Sequence, residues 1–234
     1  MKKKIFLVLV CGGLVLGLAT GCGNEDLNNS TNNSNNTNNS SNQETNNNET
    51  QKNITLNDVL SHKTSPDSDF FVNDDGNGGL VLMEYLGHEE IVVLPETING
   101  KPITEIDKYV FANNSSVKGI KLSNSVKKLD WGAFTQNHNL QVFISGNSLE
   151  IIDDSAFQDC KSLHTVKLNS GLKEIGTLAF SQCKSLTSLL IPSSVETIEI
   201  IAFNLMSDNF TLKGKSGSVA ESYAKSENFK FEVE

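Results

Sequence analysis

Three groups of residues have types and spacings that could do chemistry. Cys160 and Cys183 stand at a 23-residue spacing in near-copies of one phrase, AFQDC and AFSQC. Two such thiols suit a disulfide, half of a metal site, or one structural residue duplicated. In the stretch Asn73-Asp74-Asp75-Gly76-Asn77-Gly78-Gly79, followed by Glu84, oxygen-bearing side chains take alternating places as in a calcium loop. Its first place holds Asn73 instead of aspartate, and the flanking FFV and LVLM read as strands, so an Asx/Gly hairpin turn explains the same letters. His62, His88, His138 and His164 share no spacing, and His88-Glu89-Glu90 lacks the second histidine of a metalloprotease helix. Asp153-Asp154 reads as a turn pair, and no Gly-x-Ser-x-Gly elbow occurs. No catalytic residue, metal-ligand set or cofactor site emerges, and the chain is not expected to be an enzyme.

The elements that would position these residues follow from a period. Phe111, Phe134, Phe157, Phe180 and Phe203 all fall on one 23-residue grid. Five places before them stand Ile106, Leu129, Ile152, Ile175 and Ile198, and nine after stand Ile120, Phe143, Val166, Leu189 and Leu212. Apolar columns at a period in the low twenties mark a leucine-rich-repeat solenoid, in which stacked units share one core. A unit of this length cannot hold both a strand and a helix of ten or more, so parallel α/β folds are excluded. The expected architecture is a β-rich leucine-rich-repeat solenoid of about five 23-residue units over 103–212. An N-terminal β-cap covers 54–102, and a C-terminal helix/strand cap covers 213–234. Within the caps, 54–62 is expected to form a small helix after the tether, 217–227 has helical spacing with Val219, Ala220, Tyr223 and Ala224 inward, and 229–233 alternates like a closing strand.

AFQDCKSLHTVKLNSGLKEIGTLAF and AFSQCKSLTSLLIPSSVETIEIIAF resemble the BspA-like leucine-rich repeats of bacterial surface proteins. The shared pattern runs Ala-Phe, two residues, Cys, Ser-Leu, a strand, Pro-Ser-Ser-Val, then Ile. The chain departs from it at NLQVFISGNSLEII, where Ile144 and Ser145 stand in place of a polar and then an apolar residue, so a bulged or out-of-phase rung is expected there. The resemblance implies a cell-surface adhesion or interaction protein and brings no catalytic residues.

The N-terminus has a basic start, Lys2 to Lys4, an apolar run from Ile5 to Leu18, and then Ala19-Thr20-Gly21-Cys22. This resembles a bacterial lipoprotein signal, with residues 1–21 removed and Cys22 lipidated. An ordinary secretory signal with an incidental cysteine is the alternative. Residues 22–53 are Asn/Ser/Thr-rich with almost nothing apolar, which predicts a disordered tether. The resemblance places the protein outside the cell, held by lipid on the outer face of the cytoplasmic membrane or at the cell surface.

The chain carries a formal −9, which becomes about −12 once the signal's lysines are removed, and it contains no arginine. A polyanion is repelled by such a balance and finds no planar fork to bind, so nucleic acid is not an expected partner. The expected partners are the membrane, through the lipid, and an extracellular or envelope macromolecule. Residues pointing away from the core on the main strands would form the binding face: Lys118, Lys121, Gln141, His164, Lys167, Thr187 and Leu190. Trp131 is added because its column otherwise holds mostly polar residues; either it is exposed there or it folds over its own turn. The alternative function is a structural spacer or envelope-assembly protein with no diffusible ligand. Cys160 and Cys183 share a column with Asn114, Asn137 and Met206, which favours two buried thiols, with oxidation left open in an exported chain.

Overall fold

Units this short cannot each enclose a core, and the chain answers this by winding them into a stack with two strand-bearing sides. The computed structural model describes residues 53–234, all within the compact unit Thr50–Glu234. The expected signal peptide (1–21), Cys22 and the tether as far as residue 52 lie outside the described residues. The first element is α1 (Leu56–Leu60), opened by a capping box in which the Thr55 hydroxyl accepts from the Asp58 N–H and the Asp58 carboxylate accepts from the Thr55 N–H. Next, β1 (Phe70–Asp74) and β2 (Leu80–Tyr85) make an antiparallel hairpin, as its Asx/Gly turn requires. β3 (Ile91–Val93), β4 (Thr97–Ile98) and β5 (Lys101–Ile106) lead into the repeats.

Each later unit contributes a three-residue strand and then a two-residue one. In order these are β6 (Gly119–Lys121) and β7 (Lys128–Leu129), then β8 (Val142–Ile144) and β9 (Ile151–Ile152). β10 (Thr165–Lys167) and β11 (Glu174–Ile175) follow, then β12 (Ser188–Leu190) and β13 (Thr197–Ile198). β14 (Thr211–Gly214), α2 (Val219–Ser226) and β15 (Lys230–Val233) close the chain. The two-residue strands form a second sheet of order β1-β2-β5-β7-β9-β11-β13, with β4 also on β5, and its pairing is parallel from β2 onward. The three-residue strands form the main sheet in two parallel pieces, β3-β6-β8-β10 and β12-β14-β15. Parallel pairing therefore runs past the phenylalanine-bearing units at both ends.

The rung expected to be bulged is regular. Val142, Phe143 and Ile144 pair residue for residue with Gly119, Ile120 and Lys121 on one side and with Thr165, Val166 and Lys167 on the other. Ile144 keeps the phase and points outward, where other residues of the chain cover it.

The period's phenylalanines lie between the two sheets as a ladder of fully buried rings. Phe111, Phe134, Phe157, Phe180 and Phe203 follow one another at centroid distances of 4.9, 5.1, 5.0 and 5.4 Å, with interplanar angles of 2° to 11°. Tyr85 continues the ladder at one end, 5.3 Å from Phe111, and Phe210 and Tyr223 close it at the other. The turns carrying the rings are left-handed two residues before and two after each ring, for example at Ser155 (φ 57°) and Asp159 (φ 61°) around Phe157. Such backbone is costly for residues other than glycine. Here it aims N–H groups at the next rung, with Ser155 donating to the Thr177 carbonyl at 2.8 Å and Gln136 to the Gln158 carbonyl at 2.7 Å.

Cys160 and Cys183 are fully buried free thiols. Each Sγ–H donates to a carbonyl one rung back, Cys160 to Phe134 at 3.1 Å and Cys183 to Phe157 at 3.2 Å. In the preceding unit the Asn137 amide donates to the Phe111 carbonyl at 3.4 Å. Asparagine and cysteine thus do one task at this column, giving a second donor to a carbonyl that already accepts the N–H three residues further on, as Phe134 does from Asn137 and Phe157 from Cys160. Burial pushes the Cys183 thiol up to about 12 and raises that of Cys160 well above its ordinary value. At the C-terminal end, Ala220, Tyr223 and Ala224 of α2 are buried over the last rung, and β15 lies parallel beside β14.

Candidate functional site

Side chains alternate across a strand, so Ile120, Phe143, Val166 and Leu189 point into the core and their neighbours point out. On the first rungs the outward side is covered by the protein's own N-terminal segment. Ile54 and Val59 pack with Val142 and Ile144, and Leu56 and Ile91 border this cluster. Gly119 permits the close approach: a Cβ there would stand 2.6 Å from a methyl of Val59 and 3.2 Å from one of Ile54. The Ile54 N–H donates to the Gln141 side-chain oxygen at 2.7 Å, fixing the segment's entry point.

This cover divides the residues expected on the binding face. Gln141 is only 7% exposed and spends its oxygen on Ile54, so it is not open to a partner. Lys118 has only 12% of its side chain exposed and forms an ion pair with Glu90. Both point outward as their columns require, and both are withdrawn by neighbouring chain. Lys121 is half-buried, whereas His164, Lys167, Thr187 and Leu190 stand exposed on the uncovered rungs. Burial lowers the pKa of His164 by disfavouring its charged form, and its ring nitrogen lies 2.9 Å from the Thr165 hydroxyl. Around it Asn53, Asn139, Gln141, Ser162 and Ser185 line a polar depression of about 230 Å³.

Trp131 does not join this face. It sits in the turn after β7, on the second-sheet side, 45% exposed and edge-on to Tyr109 at 4.9 Å. It is at once exposed and folded against a neighbour. That side is a web of acids around one lysine: Lys128 Nζ lies 3.1 Å from both Asp130 and Asp153 and 3.7 Å from Glu105. Burial and neighbouring aspartates outweigh Lys128 at Glu105 and raise its carboxyl. At Asp130 burial is itself outweighed by the Trp131 N–H and Lys128, which hold the group below the ordinary carboxylate range.

The loop with calcium-like spacing is stitched to itself and to its surroundings. Asp75 accepts from the Asn77 and Gly79 N–H groups and from the Thr104 hydroxyl, and Asp74 accepts from Gly76 and pairs with Lys101. Among the described residues, no group of three or more His, Cys, Asp and Glu is placed to hold a metal, and no helix is long and apolar enough to cross a membrane.

A flattened coil of parallel rungs around an aromatic ladder, with an asparagine/cysteine column in the turn, is the structure of a leucine-rich-repeat protein. More narrowly, the chain belongs to the BspA type leucine-rich repeat family, whose repeat matches residues 92–209 in six copies. Among solved structures it is similar to the T. pallidum leucine-rich repeat protein, at 28% identity and a TM-score of 0.62, over 64% of this chain and 71% of that one. It is also similar to the pneumococcal vaccine antigen PcpA, at 18% identity and a TM-score of 0.51, over 69% of this chain and 49% of that one. No curated protein matches the chain.

Proposed function

We propose that the chain is an exported, lipid-anchored protein whose solenoid binds a macromolecular partner through the open part of its main sheet. The observation that carries this reading is the uneven cover of that sheet. The early rungs are closed by Ile54 and Val59, while His164, Lys167, Thr187 and Leu190 are left exposed on consecutive rungs. Extended repeat faces of this kind are what solenoids offer to partners. Membership in the BspA type repeat family supports an interaction module over an enzyme. The lipoprotein-like signal ending at Cys22 and the polar segment after it support an anchor and a tether.

The test has two arms. Cells expressing the chain and fed a labelled fatty acid should label it, and Cys22→Ser should abolish the label. The chain from Gly23 onward should be retained by intact cells, envelopes or extracellular matrix. Loss of fatty-acid labelling alone overturns the anchor. Absence of retention by every one of these surfaces overturns the binding role in favour of a spacer.

A further inference from the structure

Each 23-residue unit is divided between the two sides of the solenoid, and so is its charge. The main-sheet halves of five successive units are 115–124, 138–147, 161–170, 184–193 and 207–216. They contain seven lysines and one acid, Asp208. The complementary halves, 102–114, 125–137, 148–160, 171–183 and 194–206, contain four lysines and ten acids. With histidine neutral, these counts make the main-sheet halves of the five units formally +6 and their complements −6, while the flanking rungs of β3 and β15 add Glu89, Glu90, Glu96, Glu232 and Glu234 against Lys230. The two sides of such a coil lie about 10 Å apart, a distance comparable with the screening length at physiological salt. A partner resting on the five rungs between β3 and β15 therefore meets chiefly lysines.

The first two rungs beyond the cover of α1, 161–170 and 184–193, contain Lys161, Lys167 and Lys184 and no acidic residue. Lys161 is shared with Asp159 at 3.4 Å, and Lys184 reaches the Met206 carbonyl at 3.5 Å. The Lys167 ammonium has no partner among the described residues. In the column of Lys167 the consecutive rungs present Lys121, Ile144, Lys167, Leu190 and Lys213, a lysine on every second rung with an apolar residue between. Leu190 is 41% exposed, and Lys213 is held by Glu232 at 2.7 Å.

We propose that this face binds an extended acidic segment of a partner protein, laid along the solenoid axis with carboxylates at about every third residue. Alternate rungs are about 10 Å apart, and three residues of extended chain span about the same distance. An ammonium is a compact point charge suited to single carboxylates, whereas sulfated and phosphorylated polymers favour the guanidinium forks this chain lacks. Leu190 adds an apolar contact that a polypeptide meets and a polyanionic glycan does not. Ser185 and Thr187, exposed on the same rung as Lys184, offer hydroxyls to the partner's backbone. This inference rests on the proposed binding role and names the chemistry of its partner.

The test uses the purified full chain in a neutral detergent and a labelled 15-residue peptide bearing glutamate at every third place. Its controls are the same peptide with glutamine and a heparin oligosaccharide. The glutamate peptide should bind at least about tenfold more tightly than the glutamine peptide, with an advantage that shrinks as salt is raised. The triple change Lys161→Gln, Lys167→Gln, Lys184→Gln should remove that advantage. The triple change Lys108→Gln, Lys127→Gln, Lys173→Gln, which alters the net charge equally on the other side, should leave it within about twofold. Equal binding of the two peptides, equal effects of the two triple changes, or tighter binding of heparin would each overturn the acidic-segment proposal. If the peptides fail while cells still retain the chain, only the partner chemistry is wrong; if retention fails as well, so does the binding role.

Discussion

On the second-sheet side, β11 is hydrogen-bonded to β9 and to β13, and parallel pairing runs from β2 to β13 without a gap. On the main-sheet side the ladder lapses between β10 and β12, its early rungs are covered by Ile54 and Val59, and among the described residues His164, Lys167, Thr187 and Leu190 of its later rungs stand exposed. The two sides also carry opposite charge although they come from the same units. One wall of the coil is uniform and acidic, and its web around Lys128 ties neighbouring rungs together. The other is segmented and basic, with an open stretch beginning where the chain's own segment stops. A repeat can thus divide its labour, one wall keeping the stack and the other varying what it presents.

The largest effect should come from a change that ignores this difference. Phe157 lies between the sheets, 4.7 Å from Phe143 of the main sheet and 5.0 Å from Phe180. Phe157→Ala should cost about 3–5 kcal/mol in denaturant unfolding and leave a single transition, because both walls share the ladder. Two separate transitions would show that the walls unfold independently.

A smaller change should strike one wall alone. Gly119→Val places carbon where Val59 now packs and should unseat α1 at a cost of about 1–3 kcal/mol. Limited proteolysis should then cut between residues 53 and 62 while the second sheet stays protected. Unchanged protease resistance would contradict the close fit of that segment.

The buried thiols give a pH-dependent difference. Their folded pKa values lie above the unfolded value of about 8.5, so their stabilisation is complete below that pH and declines as pH rises above it, for Cys183 until about 12. Tyr85 and Tyr223, whose hydroxyls burial also raises, act in the same sense only above about pH 10. Between pH 8.5 and 10, unfolding free energy should fall by up to about 1 kcal/mol per pH unit per thiol. Cys160→Ala with Cys183→Ala should flatten that slope, and an unchanged slope would mean that the thiols are not buried as acids. The smallest expected difference lies within the main sheet. The Ser188 and Leu190 amides, which have no partner on β10, should exchange with deuterium faster than those of Val142 and Ile144 in β8.

Much of this arrangement was legible in the sequence because it is periodic. The phenylalanine ladder, both walls and the asparagine/cysteine column all follow from columns repeated at a 23-residue period, and the closing helix from its own apolar spacing. The cover of the main sheet was not, because it joins Ile54 to Gln141, 87 residues away, and a single contact at that range leaves no period. Its traces were nonetheless present. Gly119 stands at a strand position where the later units carry Val142, Thr165 and Ser188, and Ile144 is apolar at an outward place. Taken alone, Ile144 suggests a bulge, but the two residues together mark the footprint of Ile54 and Val59 on a regular rung. The division of charge was also written in the sequence, and it acquires meaning only once each half-unit is assigned to a wall.

The claim that the open main-sheet wall is the interaction surface is tested most directly by comparing the two triple lysine-to-glutamine variants for retention on intact cells. Removing Lys161, Lys167 and Lys184 should lower retention at least about tenfold, whereas removing Lys108, Lys127 and Lys173 should leave it near that of the parent protein. Equal losses, or a larger loss from the second-sheet variant, would contradict the account.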